Sequence, residues 1–105
     1  MNPLEEFKFW LQDNLDDLKA ACKSDTLRLL LNDMYRRVTE SYEACVNRIL
    51  APGNKEALAL TEKLNAVQDE VNDDLSRLDD IECTLDKIAT GVKIASKIAM
   101  LAIQH

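Results

Sequence analysis

Apolar residues recur at intervals of three and four along almost the whole chain, which is the spacing that places side chains on one face of an α-helix. Asn2 is a favourable N-cap, Pro3 suits the first helical position, and Glu5 can complete a capping box with Asn2. The pattern predicts a first helix, helix A, from about Pro3 to Cys22. Its apolar stripe consists of Leu4, Phe7, Leu11, Leu15, Leu18 and Cys22.

A second stripe follows Ser24 and Asp25, either of which can cap a helix. It predicts helix B from there to about Leu50, followed by the turn sequence Ala51-Pro52-Gly53-Asn54. This turn predicts an αα-hairpin, with helix B and the following helix C antiparallel and in contact. We interpret Cys45 as a small buried apolar residue, not a nucleophile, because it lies in the stripe. The stripe consists of Leu27, Leu31, Met34, Val38, Cys45 and Ile49.

Helix C is predicted to begin at Lys55 and carries the longest pattern, which we call the seam. Steps of three and four alternate along it over six heptads, which is typical of a coiled coil. Gly91 is the weak point because Gly in a helix interior costs about 1 kcal/mol relative to Ala. A break there would leave a long arm over 55–89 and a short helix over 92–103. The seam consists of Leu60, Leu64, Val67, Val71, Asp74, Leu78, Ile81, Leu85, Ile88, Val92, Ala95, Ala99 and Ala102.

The fold class predicted from these stripes is all-α. We expect an antiparallel bundle of three long helices, or four if helix C breaks at Gly91, with coiled-coil packing in a single domain over 1–105. Gly and Pro number two each, too few for the turns of a β-sandwich. The length is sufficient to bury an apolar core without disulfides.

Helix lengths raise the question of what covers the seam. An unbroken helix C would be about 75 Å long, whereas helices A and B would be about 29 and 39 Å. Helices A and B could lie end to end along helix C, since their connection at Lys23-Ser24 permits a bend more readily than a hairpin. Alternatively, helix C folds back at Gly91, or a second chain covers the seam. We expect the last arrangement, a homodimer.

The net charge of −6 argues against nucleic-acid binding, which requires a basic face. The charge is also uneven along the chain. Residues 69–86 carry eight acids against Arg77 alone, and residues 87–105 carry three lysines and no acid. This pattern indicates either a solvated acidic face followed by a short basic one, or a dipolar helix that pairs head to tail with a partner.

Asp74 occupies a seam position, where an unpaired carboxylate cannot be buried at reasonable cost. Either the seam opens to solvent there and Leu75 takes its place in the core, or Asp74 pairs with a cation from helix A, helix B or a partner chain and so fixes the register of the packing. The candidate cations are Arg36, Arg37 and Arg48.

The C-terminal segment 86–104 is apolar on more than half of its circumference, which is typical of a helix that is buried or has a partner. Core packing, a surface for another helix, and membrane-interface binding by a lysine-bearing helix remain open. The residues we expect to mediate interaction are Asp74, Leu78, Ile81, Leu85, Ile88, Val92, Ile94, Ile98 and Leu101.

We expect no catalytic, cofactor-binding or metal-binding residues. His105 is the single histidine, and Cys22, Cys45 and Cys83 lack the spacing of zinc ligands. Reduced thiols and an N-terminus without the features of a secretory signal favour a cytoplasmic protein.

Glu40-Ser41-Tyr42-Glu43 and Glu70-Val71-Asn72-Asp73 form an ExxE and an ExxD motif, 27 positions apart as counted from Glu43 to Glu70. This resembles the signature of the all-α nucleoside triphosphate pyrophosphohydrolases of the MazG and dimeric dUTPase type. The resemblance implies four carboxylates that hold Mg²⁺ on substrate phosphates. However, the periodicity places all four beside the apolar stripes, so we treat this as an alternative.

The function we expect is that of a non-enzymatic helical interaction or assembly module. It would act through the long C-terminal helix, with a second copy or another helical protein as partner. The alternatives are a membrane-surface adaptor that uses the tail 86–103, and the Mg²⁺-dependent hydrolase described above.

Overall fold

The computed structural model describes residues 3–45, 55–76 and 80–104, and within them the all-α bundle is confirmed. Ser24 is the cap of the second helix, because its Oγ accepts a hydrogen bond from the Leu27 amide at 3.3 Å. The predicted cap at Asn2 and the turn over 51–54 lie outside the described residues. The four helices of the described part are α1 (Pro3–Ala21), α2 (Asp25–Cys45), α3 (Lys55–Leu75) and α4 (Ile81–Gln104).

The predicted helix C is two helices, and the break is not at Gly91. It falls between Leu75, the last residue of α3, and Ile81, the first of α4. Asp80 caps α4, since its Oδ1 accepts from the Cys83 amide at 3.1 Å and its carbonyl oxygen accepts from the Thr84 amide at 3.1 Å. The prediction of Gly91 as the weak point is wrong because this glycine is a packing site inside α4.

Helices α1 and α2 form an antiparallel hairpin and do not lie end to end. The Tyr35 hydroxyl donates to Gln12 Oε1 at 3.2 Å, and Lys8 Nζ lies 5.0 Å from the centre of the Tyr42 ring. Residue numbers thus rise on one helix as they fall on the other. The short connection permits this reversal because Arg28 of α2 reaches back to carbonyl groups at the end of α1.

Helices α3 and α4 form a second antiparallel hairpin. Lys87 Nζ lies 2.8 Å from Asp74 Oδ2, and a Cβ built on Gly91 would lie 3.2 Å from Val67 Cγ1. Helix α4 packs most extensively against α3 and α2 and also touches α1. The predicted hairpin of helix B with the start of helix C is therefore wrong, since α3 does not touch α2 within the described residues; helix B meets the predicted helix C only through α4.

The core runs along the axis of a body with extents of 41 × 22 × 18 Å. Helix α4 can contact all three other helices because its apolar surface is wide enough to face each of them. The predicted stripes supply most of the buried side chains. The largest of those that are fully buried include Leu4, Phe7, Leu11, Leu18, Leu31, Val38, Leu64, Val71, Leu85, Ile88 and Ile98.

Candidate functional site

The predicted interaction residues of α4 lie in the core of the single chain. Leu101 is partly buried and packs against the same core, and Leu78 lies outside the described residues. Helices α1, α2 and α3 of one chain therefore cover the seam that suggested a second chain, while the homodimer itself stays a prediction. Less than a tenth of the surface is exposed for Ile81, Leu85, Ile88, Val92, Ile94 and Ile98.

Asp74 pairs with a cation, but the cation is Lys87 of α4, from the predicted helix C itself and not from helix A, helix B or a partner chain as predicted. Their side chains are 26% and 32% exposed, and the buried hydroxyl of Thr84 also donates to Asp74 Oδ2 at 3.5 Å. The hydrogen bond to Asp74 raises the pKa of Lys87, against an opposing effect of desolvation. Leu75 packs against the core beside this pair.

The arginines proposed as partners of Asp74 are not its partners. Arg36 pairs with Asp33 and with Glu40, and Arg37 Nε lies 2.8 Å from Asp33 Oδ2, all within α2. These contacts hold the pKa of Asp33 below its usual range. Arg48 lies outside the described residues. The sequence could not identify Lys87 because an unbroken helix C would place it about 20 Å along the axis from Asp74.

The fold-back at 76–80 brings the end of α3 beside the start of α4, and so collects acidic side chains from both. Within the described residues, none of the exposed acids there takes part in an ion pair; Asp80 also caps α4. The charge count over 69–86 was the only signal of this feature in the sequence. We call this set the acidic surface; it consists of Asp69, Glu70, Asp73, Asp80, Glu82 and Asp86.

The polar residues of the tail face away from the core. Asp86, Thr90, Lys93 and Lys97 are all exposed on α4. In the part of the chain that the structure describes, the other large exposed apolar residues occur one or two to a helix, which is common on protein surfaces. They are Phe9, Leu29, Leu30, Leu58 and Met100.

Two of the three cysteines are buried, and Cys45 is the buried apolar residue that its stripe predicted. The Sγ atoms of Cys22 and Cys45 donate to the carbonyl oxygens of Leu18 and Ser41 at 3.2 Å. Burial raises the pKa of the Cys22 thiol, and the nearby Arg28 opposes this effect. Cys83 is exposed at the start of α4.

The four carboxylates of the hydrolase signature are not brought together. Glu40 and Glu43 are exposed on α2, whereas Glu70 and Asp73 are exposed on α3, which does not touch α2 in the described part of the chain. Over the same residues, no group of three or more His, Cys, Asp or Glu side chains is placed so that it could hold a metal ion.

Comparison of the chain with protein-family models, with curated proteins and with solved structures gives no match. Over residues 3–45, 55–76 and 80–104, no helix combines the length and the apolar character needed to cross a membrane. The surface of the chain is therefore the basis for inferring its function.

Proposed function

We propose that this chain is a non-enzymatic helical interaction module that binds a lysine- or arginine-rich segment of a partner through the acidic surface. The observation that carries the proposal is the group of six exposed carboxylates that α3 and α4 place at one corner of the bundle. Lys87, a described cation at this corner, is paired with Asp74, so a cationic partner would supply opposite charges to carboxylates that form no ion pair within the described residues. Complementary charge of this kind favours rapid association and a defined orientation.

The acidic surface is preferred to the apolar seam because the seam side chains already pack against α1, α2 and α3. A partner helix could reach Ile88 or Ile98 only by displacing part of the core. A membrane adaptor that used the tail 86–103 would need the same buried side chains. The acidic surface, in contrast, is available without any change in the packing.

The proposal predicts that removing charge from the acidic surface weakens binding more than removing the same charge elsewhere. The test variant carries Glu70→Gln, Asp73→Asn and Asp86→Asn. The control carries Glu6→Gln, Glu43→Gln and Glu62→Gln, three exposed acids that do not belong to the acidic surface. Both variants change the net charge from −6 to −3, so that long-range attraction is matched and only position differs.

The probe is a fluorescently labelled helical peptide whose charged positions are all lysine, titrated with each protein by anisotropy. We expect the test variant to bind about tenfold more weakly, from three contacts of roughly 0.5 kcal/mol each, and the control to stay within about twofold of the wild type. Added salt should weaken wild-type binding by screening. Equal losses in the two variants would show attraction to net charge alone and would reject the acidic surface as the site.

A further inference from the structure

We propose that the chain can exchange α4 with a second copy, with α3 and α4 straightening into one long helix in each chain of the dimer. The observation that carries this inference is that the seam keeps its phase across the break. Val71 and Asp74 precede the connection and Ile81 and Leu85 follow it, at the same alternating steps that continue through Leu78 in the sequence. A seam that stays in register through a connection is the pattern of a continuous helix.

The connecting residues 76–80 do not commit the chain to a turn. They read Ser-Arg-Leu-Asp-Asp, without Gly or Pro, so nothing in their covalent structure forbids a helix there. The only turn sequence of the chain that contains both residue types lies elsewhere, at Pro52-Gly53.

The side-chain hydrogen bond that caps α4 forms only when the chain folds back between α3 and α4. Asp80 Oδ1 accepts from the Cys83 amide, an amide that would bond to the carbonyl of residue 79 in a continuous helix. The straight form loses this cap and gains helical hydrogen bonds through the connection. The two forms therefore differ locally by a few compensating bonds.

Exchange preserves the packing of the bundle. In the dimer, α4 of one copy meets α1, α2 and α3 of the other with the same contacts, including Lys87 on Asp74 and Gly91 beneath Phe7. Because the packing contacts are the same in both forms, the equilibrium between monomer and exchanged dimer depends on the free energy of the connection, the protein concentration and the entropy of association. The inference does not rest on the proposed binding of a basic partner.

The first test changes the cap. Asp80→Ala removes the side-chain acceptor, whereas Asp80→Asn keeps a good N-cap and removes the same charge. A cap contributes a factor of about five per chain, so we expect the dimer dissociation constant of Asp80→Ala to fall about 25-fold relative to that of Asp80→Asn. Sedimentation velocity over a wide concentration range measures both. Equal constants, or monomers throughout, would overturn the proposal.

The second test distinguishes exchange from side-by-side association. A carbodiimide joins Asp74 and Lys87 as an amide, taking up the water released, because their charged atoms are 2.8 Å apart. Isotopically heavy and light Asp80→Ala protein is unfolded together, refolded at high concentration and cross-linked, and the dimer is digested. We expect the 74–87 cross-link between heavy and light peptides. A cross-link found only within one isotope class would overturn the proposal.

Asp79→Pro supplies the opposite perturbation, because proline cannot occupy the interior of a continuous helix. We expect this variant, if circular dichroism shows a folded protein, to remain monomeric where Asp80→Ala is dimeric. A folded Asp79→Pro dimer with the 74–87 cross-link between chains would contradict the straight connection. If Asp79→Pro does not fold, the comparison of Asp80→Ala with Asp80→Asn decides the proposal.

Discussion

Phe7 and Gly91 show how one absent side chain determines the docking of α1 on α4. Phe7 is fully buried, and a Cβ at position 91 would lie 2.7 Å from its Cζ and 3.2 Å from its Cε2. The ring also stacks on Trp10, with centroids 5.7 Å apart. Since helix propensity alone favours Ala over Gly by about 1 kcal/mol, glycine at this position reflects tertiary packing.

We expect Gly91→Ala to lower the free energy of unfolding by about 1 kcal/mol. Overpacking costs about 1–3 kcal/mol, and the gain in helix propensity offsets about 1 kcal/mol of it. Urea unfolding measures the change. In a Phe7→Leu background the methyl group has room, so the same substitution should become neutral or stabilising there. An equal loss in both backgrounds would mean that Phe7 is not the obstacle.

Arg28 acts at the scale of the element, because it joins the end of α1 to the start of α2. Its Nη2 donates to the Cys22 carbonyl at 3.0 Å, its Nε to the Lys19 carbonyl at 3.4 Å, and its Nη1 to Asp25 at 2.7 Å. The last carbonyl groups of a helix have no partner within it. The guanidinium group supplies a donor to the Cys22 carbonyl just after α1 and a second donor, beside the Cys22 amide, to the Lys19 carbonyl, and so stabilises the reversal of the chain.

Arg28→Met should therefore lower the free energy of unfolding by about 1–2 kcal/mol, the effect of removing hydrogen bonds from a charged donor. The matched control is Arg36→Met on the same helix, whose ion pairs with Asp33 and Glu40 are largely exposed. We expect the control to stay within about 0.5 kcal/mol of the wild type. Urea titrations that gave the same loss for both would contradict a role for Arg28 at the corner.

Asp74 and Lys87 pair across α3 and α4, and their pairing should be lost at strongly alkaline pH. The pKa of Lys87 is raised above its ordinary 10.5 in the folded chain, mainly by the hydrogen bond to Asp74. A raised pKa contributes stability that is present in full below 10.5 and is lost as the pH rises through the folded value.

The free energy of unfolding of the wild type should thus fall more steeply above pH 10.5 than that of Asp74→Asn, in which Lys87 loses the carboxylate that contributes most to its raised pKa. The two proteins differ only at residue 74, so the difference between their curves reports on the pair. Urea unfolding from neutral to strongly alkaline pH gives the two curves. Parallel curves would show that the pair does not stabilise the folded chain.

For the whole molecule, folding helix C back on itself makes α4 the common partner of the other three helices. The longest extent becomes 41 Å, against about 75 Å for an unbroken helix C. Because α4 folds back against α3, the seam is buried within one chain. The fold-back also places the acidic surface at a corner where two helices present it together.

Small-angle scattering of dilute protein should give the mass of one chain, 11.9 kDa, and a radius of gyration close to the 13.8 Å of the Cα trace. A particle of that mass with a maximum dimension of about 75 Å would indicate the straight helix and contradict the fold-back. The exchanged dimer would show twice the mass together with the longer dimension, so mass and length must be read jointly.

Local features of this protein follow from its sequence because they depend on neighbours along the helix. The apolar spacing predicted the buried faces of all four helices, and Ser24 was one of the two residues predicted to cap α2. The seam positions on both sides of 76–80 are mostly buried, although the seam is divided between two helices. That Asp74 required either solvent or a cation was likewise a local consequence of its place in the seam.

Only the tertiary structure decided which faces meet. The periodicity of apolar residues identifies the buried face of a helix but not the helix that packs against it. Because the seam keeps its phase, the sequence gives no sign of the break before Ile81. Lys87 becomes the partner of Asp74 only after the fold-back, and the reversal at Arg28 and the space above Gly91 depend on groups of another helix. The acidic surface also forms only because the chain reverses between α3 and α4. Contacts between helices depend on how the chain connects them in space, and not on the spacing of residues along the sequence.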